Sequence, residues 1–340
     1  MQSHINAFSQ PADPHQLDPH PALRRAMSIS RALTIAGLAM LLTLAGTLIG
    51  LLLDPRVITG APAWLKPAKF AISISIYSFT LIWLLGFVQG RPRLVRLIAN
   101  VTTVALVVEM VLIAMQAVRA TTSHFNVATP LDSAIFSTMG IFIIAAWAMN
   151  LLAAILLIRQ RLPDPAYAWA LRLGLLLTLV GASVGFLMVT PTSAQLAAAA
   201  AGQGMRIAGA HSVGVADGGP GLPLVGWSTT GGDLRAAHFV GLHALQVLPL
   251  LGWLLALPWA RRLGAGHRLT LVWIAGLSYL GLIGLLIWQA LRGQPLIAPD
   301  GLTLAALGGL LGAAALATAA TMAHARRRDT PHAPLAFGGD

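Results

Sequence analysis

Residues 32–53 read ALTIAGLAMLLTLAGTLIGLLL, a run of apolar and small residues without a charged side chain. A helix of this length rises about 33 Å at about 1.5 Å per residue, which is enough to cross a hydrocarbon core of about 30 Å. The polar residues before it contain no apolar stretch, so we expect a transmembrane helix rather than a cleaved signal peptide. Similar runs predict eight spans in all, at 32–53, 70–88, 95–118, 134–158, 168–190, 234–259, 269–291 and 302–323.

The composition of the 340-residue chain agrees with this interpretation. Hydrophobic residues make up 56% of the chain and charged residues 10%, and the mean hydropathy is +0.76. A soluble globular protein carries about 25% charged residues. The composition therefore excludes a soluble enzyme, a disordered protein and a collagen-like fibre, and it predicts an all-α polytopic membrane protein. The chain has no cysteine, which excludes disulfides, thiolate nucleophiles and Cys-ligated metals.

The distribution of Lys and Arg predicts the orientation of the spans. The chain carries 22 of these residues against 11 Asp and Glu, giving a net charge of +11. Fifteen of the 22 fall on the side of the two termini, and seven fall on the other side. Since cytoplasmic segments are enriched in basic residues, we expect both termini, with polar tails at 1–31 and 324–340, on the cytoplasmic side of a bacterial inner membrane. The excess of basic over acidic residues therefore indicates the lipid bilayer, and not nucleic acid, as the partner of the chain.

Three sequence matches in the same order indicate an internal duplication. They are LLTLAGTLIG at 41–50 with LLTLVGASVG at 176–185, LKPAKF at 65–70 with LRAAHF at 234–239, and QAVR at 116–119 with QALR at 289–292. Each unit would contain four spans, an even number, so the two copies would point in the same direction. The sequence therefore predicts a 4+4 parallel tandem repeat with units at 32–158 and 159–323, the second carrying an additional loop at 191–232.

Ionisable side chains inside the predicted spans mark a candidate site, because a charge at mid-membrane costs roughly 2.5–3.5 kcal/mol on insertion scales. Glu109 is the only glutamate in the chain and lies in the third span, about 15 Å from its outer end. His238 and His243 share a polar stripe on the sixth span, and His243 lies at a similar depth. We predict a contact between Glu109 and one of these histidines, and these three residues are the catalytic candidates if the protein is an enzyme.

Basic residues recur at matched positions of the two units, on the side where the topology rule expects few. Lys66 matches Arg235 and Lys69 matches His238, in both cases at the outer end of the second span of the unit. In a low-dielectric environment such a cluster attracts phosphate or carboxylate, so the sequence predicts an outward-facing site for a small acid or an anionic lipid. The predicted ligand-binding residues are Lys66, Lys69, Gln116, Arg119, Arg235, Gln246 and Arg292.

Two outer loops are predicted to complete this site. The loop at 191–232 contains runs of Gly and Pro, which argue against regular helix, and loops of this length are commonly functional. We expect it to fold over the outer mouth of the helices as a lid. The predicted lid residues in the two loops are His124, Asn126, His211, Asp217, Trp227 and Asp233.

The sequence leaves the activity open, since it contains no nucleophile elbow, Walker loop, dinucleotide fingerprint or H-E-x-x-H motif. Recognition, with or without translocation, of a small anionic or amphipathic ligand is the leading interpretation. The alternatives are a membrane-embedded enzyme, with or without a b-type haem or a metal ion, and a scaffold subunit of a membrane complex. The only plausible metal ligands are His124, His211, His238 and His243.

Overall fold

A computed structural model describes residues 20–329, so most of the predicted N-terminal tail (residues 1–19) and the chain end (330–340) lie outside the described residues. The described range forms ten α-helices: α1 His20–Ile29, α2 Arg31–Leu53, α3 Leu65–Leu85, α4 Pro92–Val118, α5 Pro130–Arg159, α6 Pro165–Met188, α7 Ser193–Ala200, α8 Leu234–Ala256, α9 Ala265–Leu291 and α10 Gly301–Asp329. All of these except α1 and α7 are long and apolar enough to cross a membrane. This confirms the all-helical class and the eight apolar helices.

The described strands are four two-residue segments. They are β1 Val57–Ile58, β2 Ala61–Pro62, β3 Ser212–Val213 and β4 Gly232–Asp233. β1 pairs with β2 and β3 pairs with β4, both antiparallel. These small hairpins shape the loops and leave the helices as the framework.

Several helices begin before the apolar runs because polar caps and prolines start them. The Thr129 side chain accepts a hydrogen bond from the Asp132 N–H, and Pro130 occupies the first position of α5. Asp164 caps α6 in the same way, again ahead of a proline. Such caps satisfy N–H groups without intrahelical partners, and proline lacks that donor. The predicted start of the second span was too late: α3 begins at Leu65, so its first two turns contain both lysines.

Most of the long helices pack against the next long helix in the chain. α2 packs on α3, α4 on α5, and α6 on α8, while α9 contacts α6 and α8, and α10 contacts α9. Buried apolar side chains of α1–α5 form one core cluster, and those of α6, α8 and α9 form another. A third cluster joins α3 and α5 to α6 and α8, with Leu84, Leu157, Leu171 and Leu245 among its members.

The α6–α8 contact depends on two glycines. A Cβ added to Gly181 would overlap the backbone of Gly241 and lie 2.7 Å from the Leu242 nitrogen. Small residues allow this close approach between membrane helices. The approach also brings His238 to α6, where its Nδ1–H donates a 2.8 Å hydrogen bond to the Gly181 carbonyl oxygen.

Four loops meet at one end of the helix bundle, which we call the distal end: residues 54–64, 119–129, 189–233 and 292–300. The longest of them, 189–233 (the long distal loop), contains α7, β3 and β4. It forms a β-bridge between Asn126 and Ile207, and Gly218 packs against the turn at Gly60. The long distal loop therefore rests on two of the other distal loops.

Candidate functional site at the distal end

Three ionisable side chains from different elements form a continuous chain. Nζ of Lys66, in the first turn of α3, lies 2.9 Å from Nδ1 of His124. Nε2 of the same histidine lies 3.4 Å from Oε1 of Glu109 on α4. An ammonium group can only donate, so Lys66 donates to Nδ1 and the single ring proton is on Nε2, facing Glu109. Lys66, His124 and Glu109 (the Lys–His–Glu chain) thus connect a cation to a carboxyl group through one imidazole.

Glu109 occupies the buried end of this chain. The residue is 1% exposed, and its Oε2 is buried without a hydrogen-bond partner among the described residues. Buried polar atoms are nearly always paired, and each exception calls for an explanation. Leaving this oxygen unpaired costs free energy, so packing alone does not account for the carboxyl group.

His124 is held as a neutral ring. Burial lowers the pKa of His124 well below its ordinary value, and nearby Lys66, His211 and His238 lower it further. The Ser123 hydroxyl lies 3.1 Å from Nδ1 of His124 and so approaches the nitrogen that accepts from Lys66. A neutral ring with Nδ1 as acceptor fits both neighbours.

The long distal loop is tied to α3 and α8 through two successive carbonyl groups. Lys69 donates to the Val225 carbonyl oxygen at 3.2 Å, and Arg235 donates to that of Gly226 at 2.6 Å. Arg235 also forms an ion pair with Asp233 at 2.6 Å. The backbone at 225–226 therefore bridges two basic side chains on facing helices.

A second histidine–carboxylate pair lies within the long distal loop. Nδ1–H of His211 donates to Asp217 Oδ2 at 2.8 Å, and the backbone N–H groups of His211 and Ser212 also donate to this carboxylate. Burial lowers the pKa of His211 although Asp217 opposes the shift. Burial alone would raise the pKa of Asp217, but the hydrogen bonds from His211 and the backbone keep it below its ordinary range.

These groups lie close enough to influence one another electrostatically. We call them the distal cluster: Lys66, Lys69, Glu109, His124, His211, Asp217, Arg235 and His238. Phe125 separates two of its histidines, with ring centroids 6.1 Å from His124 and 4.7 Å from His211. The distal cluster combines predicted ligand-binding, catalytic and lid residues at one place.

The predicted ligand-binding residues Gln116, Arg119 and Arg292 lie outside the distal cluster and take part in other contacts. Four distal arginines pair with aspartates, as Arg56–Asp54, Arg119–Asp132, Arg235–Asp233 and Arg292–Asp300. Gln116 donates to Asp132 at 3.0 Å and also accepts from Arg119. Asn126, a predicted lid residue, donates to the Thr121 hydroxyl at 3.0 Å and shapes its own loop.

The predicted contact between Glu109 and His238 or His243 is wrong. Within residues 20–329 the histidine that faces Glu109 is His124, while His238 binds a carbonyl oxygen of α6. His243 packs on Phe239, with ring centroids 4.3 Å apart. The polar stripe on α8 suggested that His238 and His243 lie near the depth of Glu109. The contact is made instead by His124, which lies in the loop after α4.

Two other predicted residues make contacts outside the distal cluster. Gln246 donates to the Thr80 hydroxyl at 3.3 Å and joins α8 to α3. Trp227 packs edge-on against Phe239, with centroids 5.6 Å apart, and follows directly after the carbonyl groups that bind Lys69 and Arg235. Among residues 20–329, no group of three His, Cys, Asp or Glu side chains is arranged to hold a metal ion.

One signal in the sequence singles out the two distal lysines. Lys66 and Lys69 are the only lysines in the chain, and the other 20 of its 22 basic residues are arginines. Arginine suits fixed bidentate pairs with carboxylates, whereas lysine is a compact charge that responds readily to its surroundings. The role of His124 had no comparable signal, because its contact depends on the path of a loop.

Comparison of the chain with protein-family models, curated proteins and solved structures finds no match. Function is therefore inferred from the distal cluster itself.

Proposed function

We propose that the chain is a bacterial-type inner-membrane protein whose distal cluster faces outward and recognises a small anionic or amphipathic ligand. Both termini then lie in the cytoplasm, and the ligand arrives from the periplasm or the outer leaflet. The shared chemistry is an oxyanion, carried either by a small acid or by the headgroup of an anionic lipid. The proposal concerns binding of the ligand. Translocation of the ligand across the membrane would require further conformational states of the protein.

The observation that carries the proposal is the different pairing of arginine and lysine at the distal end. Four of the five distal arginines bind aspartates and the fifth, Arg206, is exposed, whereas Lys66 contacts an imidazole and Lys69 contacts a backbone carbonyl group. No ion pair to either lysine occurs within residues 20–329. Both lysines are partly exposed, so an anion can reach them. An ammonium without a carboxylate partner in a low-dielectric setting attracts an oxyanion strongly.

An apolar border beside the lysines supports an amphipathic version of the ligand. Trp227 and Phe239 form an aromatic pair next to the loop carbonyl groups, and Phe239 is 45% exposed. The Phe70 ring lies 6.0 Å from the Lys66 ammonium. A headgroup bound at the lysines would leave its apolar part against these rings.

Matched ion pairs support the 4+4 repeat. Arg119 follows α4 and binds Asp132 in the first turn of α5, while Arg292 follows α9 and binds Asp300 just before α10. Each arginine thus joins the third long helix of its proposed unit to the fourth. If Lys66 and Lys69 bind ligand, they also account for the three basic residues, Arg56, Lys66 and Lys69, between the apolar parts of α2 and α3, on the side where the topology rule expects few.

Binding of two probes to the detergent-purified protein tests the proposal. The probes are inorganic sulfate and phosphatidylglycerol, with phosphatidylcholine as the neutral lipid, and binding is measured calorimetrically for sulfate and by native mass spectrometry for the lipids. We expect Lys66→Gln and Lys69→Gln each to weaken probe binding about tenfold, because each removes a charged hydrogen-bond donor. Sulfate binding identifies a free anion, and binding of phosphatidylglycerol alone identifies a lipid headgroup. Binding of neither probe would refute the proposal.

A matched variant controls for net charge. Arg206→Gln removes one positive charge from the same long distal loop, where Arg206 is exposed. We expect this variant to bind both probes as the wild type does. Equal weakening by Arg206→Gln and Lys66→Gln would mean that general electrostatics, rather than a built site, attracts the anion.

A second candidate function is acid–base catalysis centred on His124, because this ring has a serine hydroxyl at 3.1 Å from one nitrogen and Glu109 at 3.4 Å from the other. Lys66 competes with Ser123 for the same nitrogen, at 2.9 Å, which favours the binding function. A serine-reactive fluorophosphonate would label Ser123 if it is an activated nucleophile. Absence of labelling that depends on Ser123 and His124 would contradict the catalytic candidate.

A further inference from the structure

Glu109 lies behind the proposed anion site and is joined to it through His124. We infer that Glu109 is a proton-binding site coupled to the ligand site, so that an anion at Lys66 and a proton on Glu109 are bound together. This inference rests on the proposed function and adds the second ion to it. The ligand class becomes an oxyanion that binds with one accompanying proton.

The charge arrangement gives the coupling its direction. Lys66 lies within electrostatic reach of Glu109, and the neutral His124 ring stands between them. An anion bound to Lys66 offsets the positive charge that favours ionised Glu109, so the carboxyl group then takes up a proton more readily. Conversely, a protonated Glu109 leaves the Lys66 charge available to the anion. Such coupling is reciprocal by thermodynamic necessity.

The geometry provides a position for the proton and a connection to the distal surface. Oε2 of Glu109 has no partner among the described residues, so a proton can be held there without breaking a hydrogen bond. The side chain of Glu109 is 2% exposed and that of His124 is 22% exposed. The imidazole is therefore the group that links the buried carboxyl to the more open part of the cluster.

The size of the coupling follows from the repulsion between an anion bound at Lys66 and an ionised Glu109. Two such charges about 10 Å apart, at an effective dielectric constant near 20, repel by an energy that corresponds to roughly a tenfold change in affinity for the anion. Other groups that face the Lys–His–Glu chain also titrate or carry charge, and they contribute to any pH dependence. They are Lys69 on α3, His211 and Asp217 in the long distal loop, and Arg235 and His238 on α8.

Isotope-edited infrared spectroscopy tests the coupling on the unmodified protein. Because Glu109 is the only glutamate, glutamate labelled with ¹³C at the side-chain carboxyl identifies its C=O stretch in difference spectra. The probes are sulfate and phosphatidylglycerol, whose charges stay constant across the pH range used. We expect either bound probe to increase the band of the protonated Glu109 carboxyl. Saturating probe without a change in that band would overturn the inference.

The pH dependence of probe binding supplies an independent measurement. We expect wild-type protein to bind the probe about tenfold more tightly at about pH 5.5 than at about pH 8, and Glu109→Gln to lose most of this difference, with the remainder due to the neighbouring histidines. Asp300→Asn, which alters an exposed distal carboxylate outside the cluster, should keep the wild-type dependence. If Glu109→Gln also keeps it, the histidines are responsible and the inference fails.

These outcomes separate the two proposals. Binding of neither probe at either pH removes the proposed anion site. Binding that is tight but independent of pH, with an unchanged carboxyl band, leaves the anion site standing and removes only the proton coupling. The infrared measurement needs no variant, so it remains decisive even if Glu109→Gln does not fold.

Discussion

Replacement of Gly181 by alanine perturbs the contact that fixes α8 on α6. The added Cβ would overlap the Gly241 backbone and lie 2.7 Å from the Leu242 nitrogen, whereas nonbonded atoms attract at about 3.5 Å or more. The two helices must therefore separate by roughly 1 Å, and backbone atoms cannot rotate aside as a side chain would. Overpacking of this kind costs about 1–3 kcal/mol, and we expect the upper part of that range because α6 and α8 share buried residues in three core clusters.

The matched position in the other proposed unit provides the control. Gly46 has nothing within 4 Å of an added Cβ, so Gly46→Ala should be neutral or more stable by up to about 1 kcal/mol through helix propensity. Thermal unfolding of detergent-solubilised protein, followed by the fluorescence of its nine tryptophans, should place the Gly181→Ala midpoint roughly 3–6 °C below that of Gly46→Ala. Equal midpoints would refute the close α6–α8 contact.

Three further predictions follow from the described contacts. Since the chain has no cysteine, single cysteines at the exposed positions Ala201 and Arg161 report orientation; a membrane-impermeant maleimide should label the first in intact cells and the second only after permeabilisation. Burial lowers the pKa of His211, so its contribution to stability should be complete above about pH 6.5 and lost as the pH falls through the lower folded-state pKa; melting curves of His211→Gln should depend less on pH in that range. Asp132→Asn should destabilise the protein by about 1–3 kcal/mol in thermal unfolding, and more than Asp300→Asn, because the residue is 4% exposed whereas the side chain of Asp300 is 39% exposed.

The eight apolar helices were predictable because length and hydropathy alone decide whether a segment can span a bilayer. Their ends were less predictable, since polar and proline residues start several of them. α5 begins at Pro130 rather than at 134, and α3 begins at Leu65 rather than at 70. The hydropathy of a residue does not report whether it caps a helix, so a window based on apolar character misses the first turn.

The position of Glu109 inside the third apolar helix was also predictable from the sequence, and the cost of a glutamate there made it a candidate for function. The partner of Glu109 was not predictable. The helical stripe suggested His238 or His243, whereas His124 reaches the carboxyl group from a loop whose path is fixed by contacts with the long distal loop. Periodicity orders residues along one helix, but it carries no information on which loop residue folds back between two helices.

The basic side chains at matched positions of the two proposed units differ in whether they have a carboxylate partner within the protein. In the second unit, Arg235 is bound by the aspartate two residues before it, and His238 is bound by a carbonyl oxygen of α6. In the first unit, Lys66 and Lys69 have no carboxylate partner among the described residues. A duplicated bundle has to hold its second helix in both units, but it needs only one ligand site. The second unit supplies mainly the loop and the structural contacts in this arrangement, so we expect one anion per chain rather than the two that a symmetric duplication would bind.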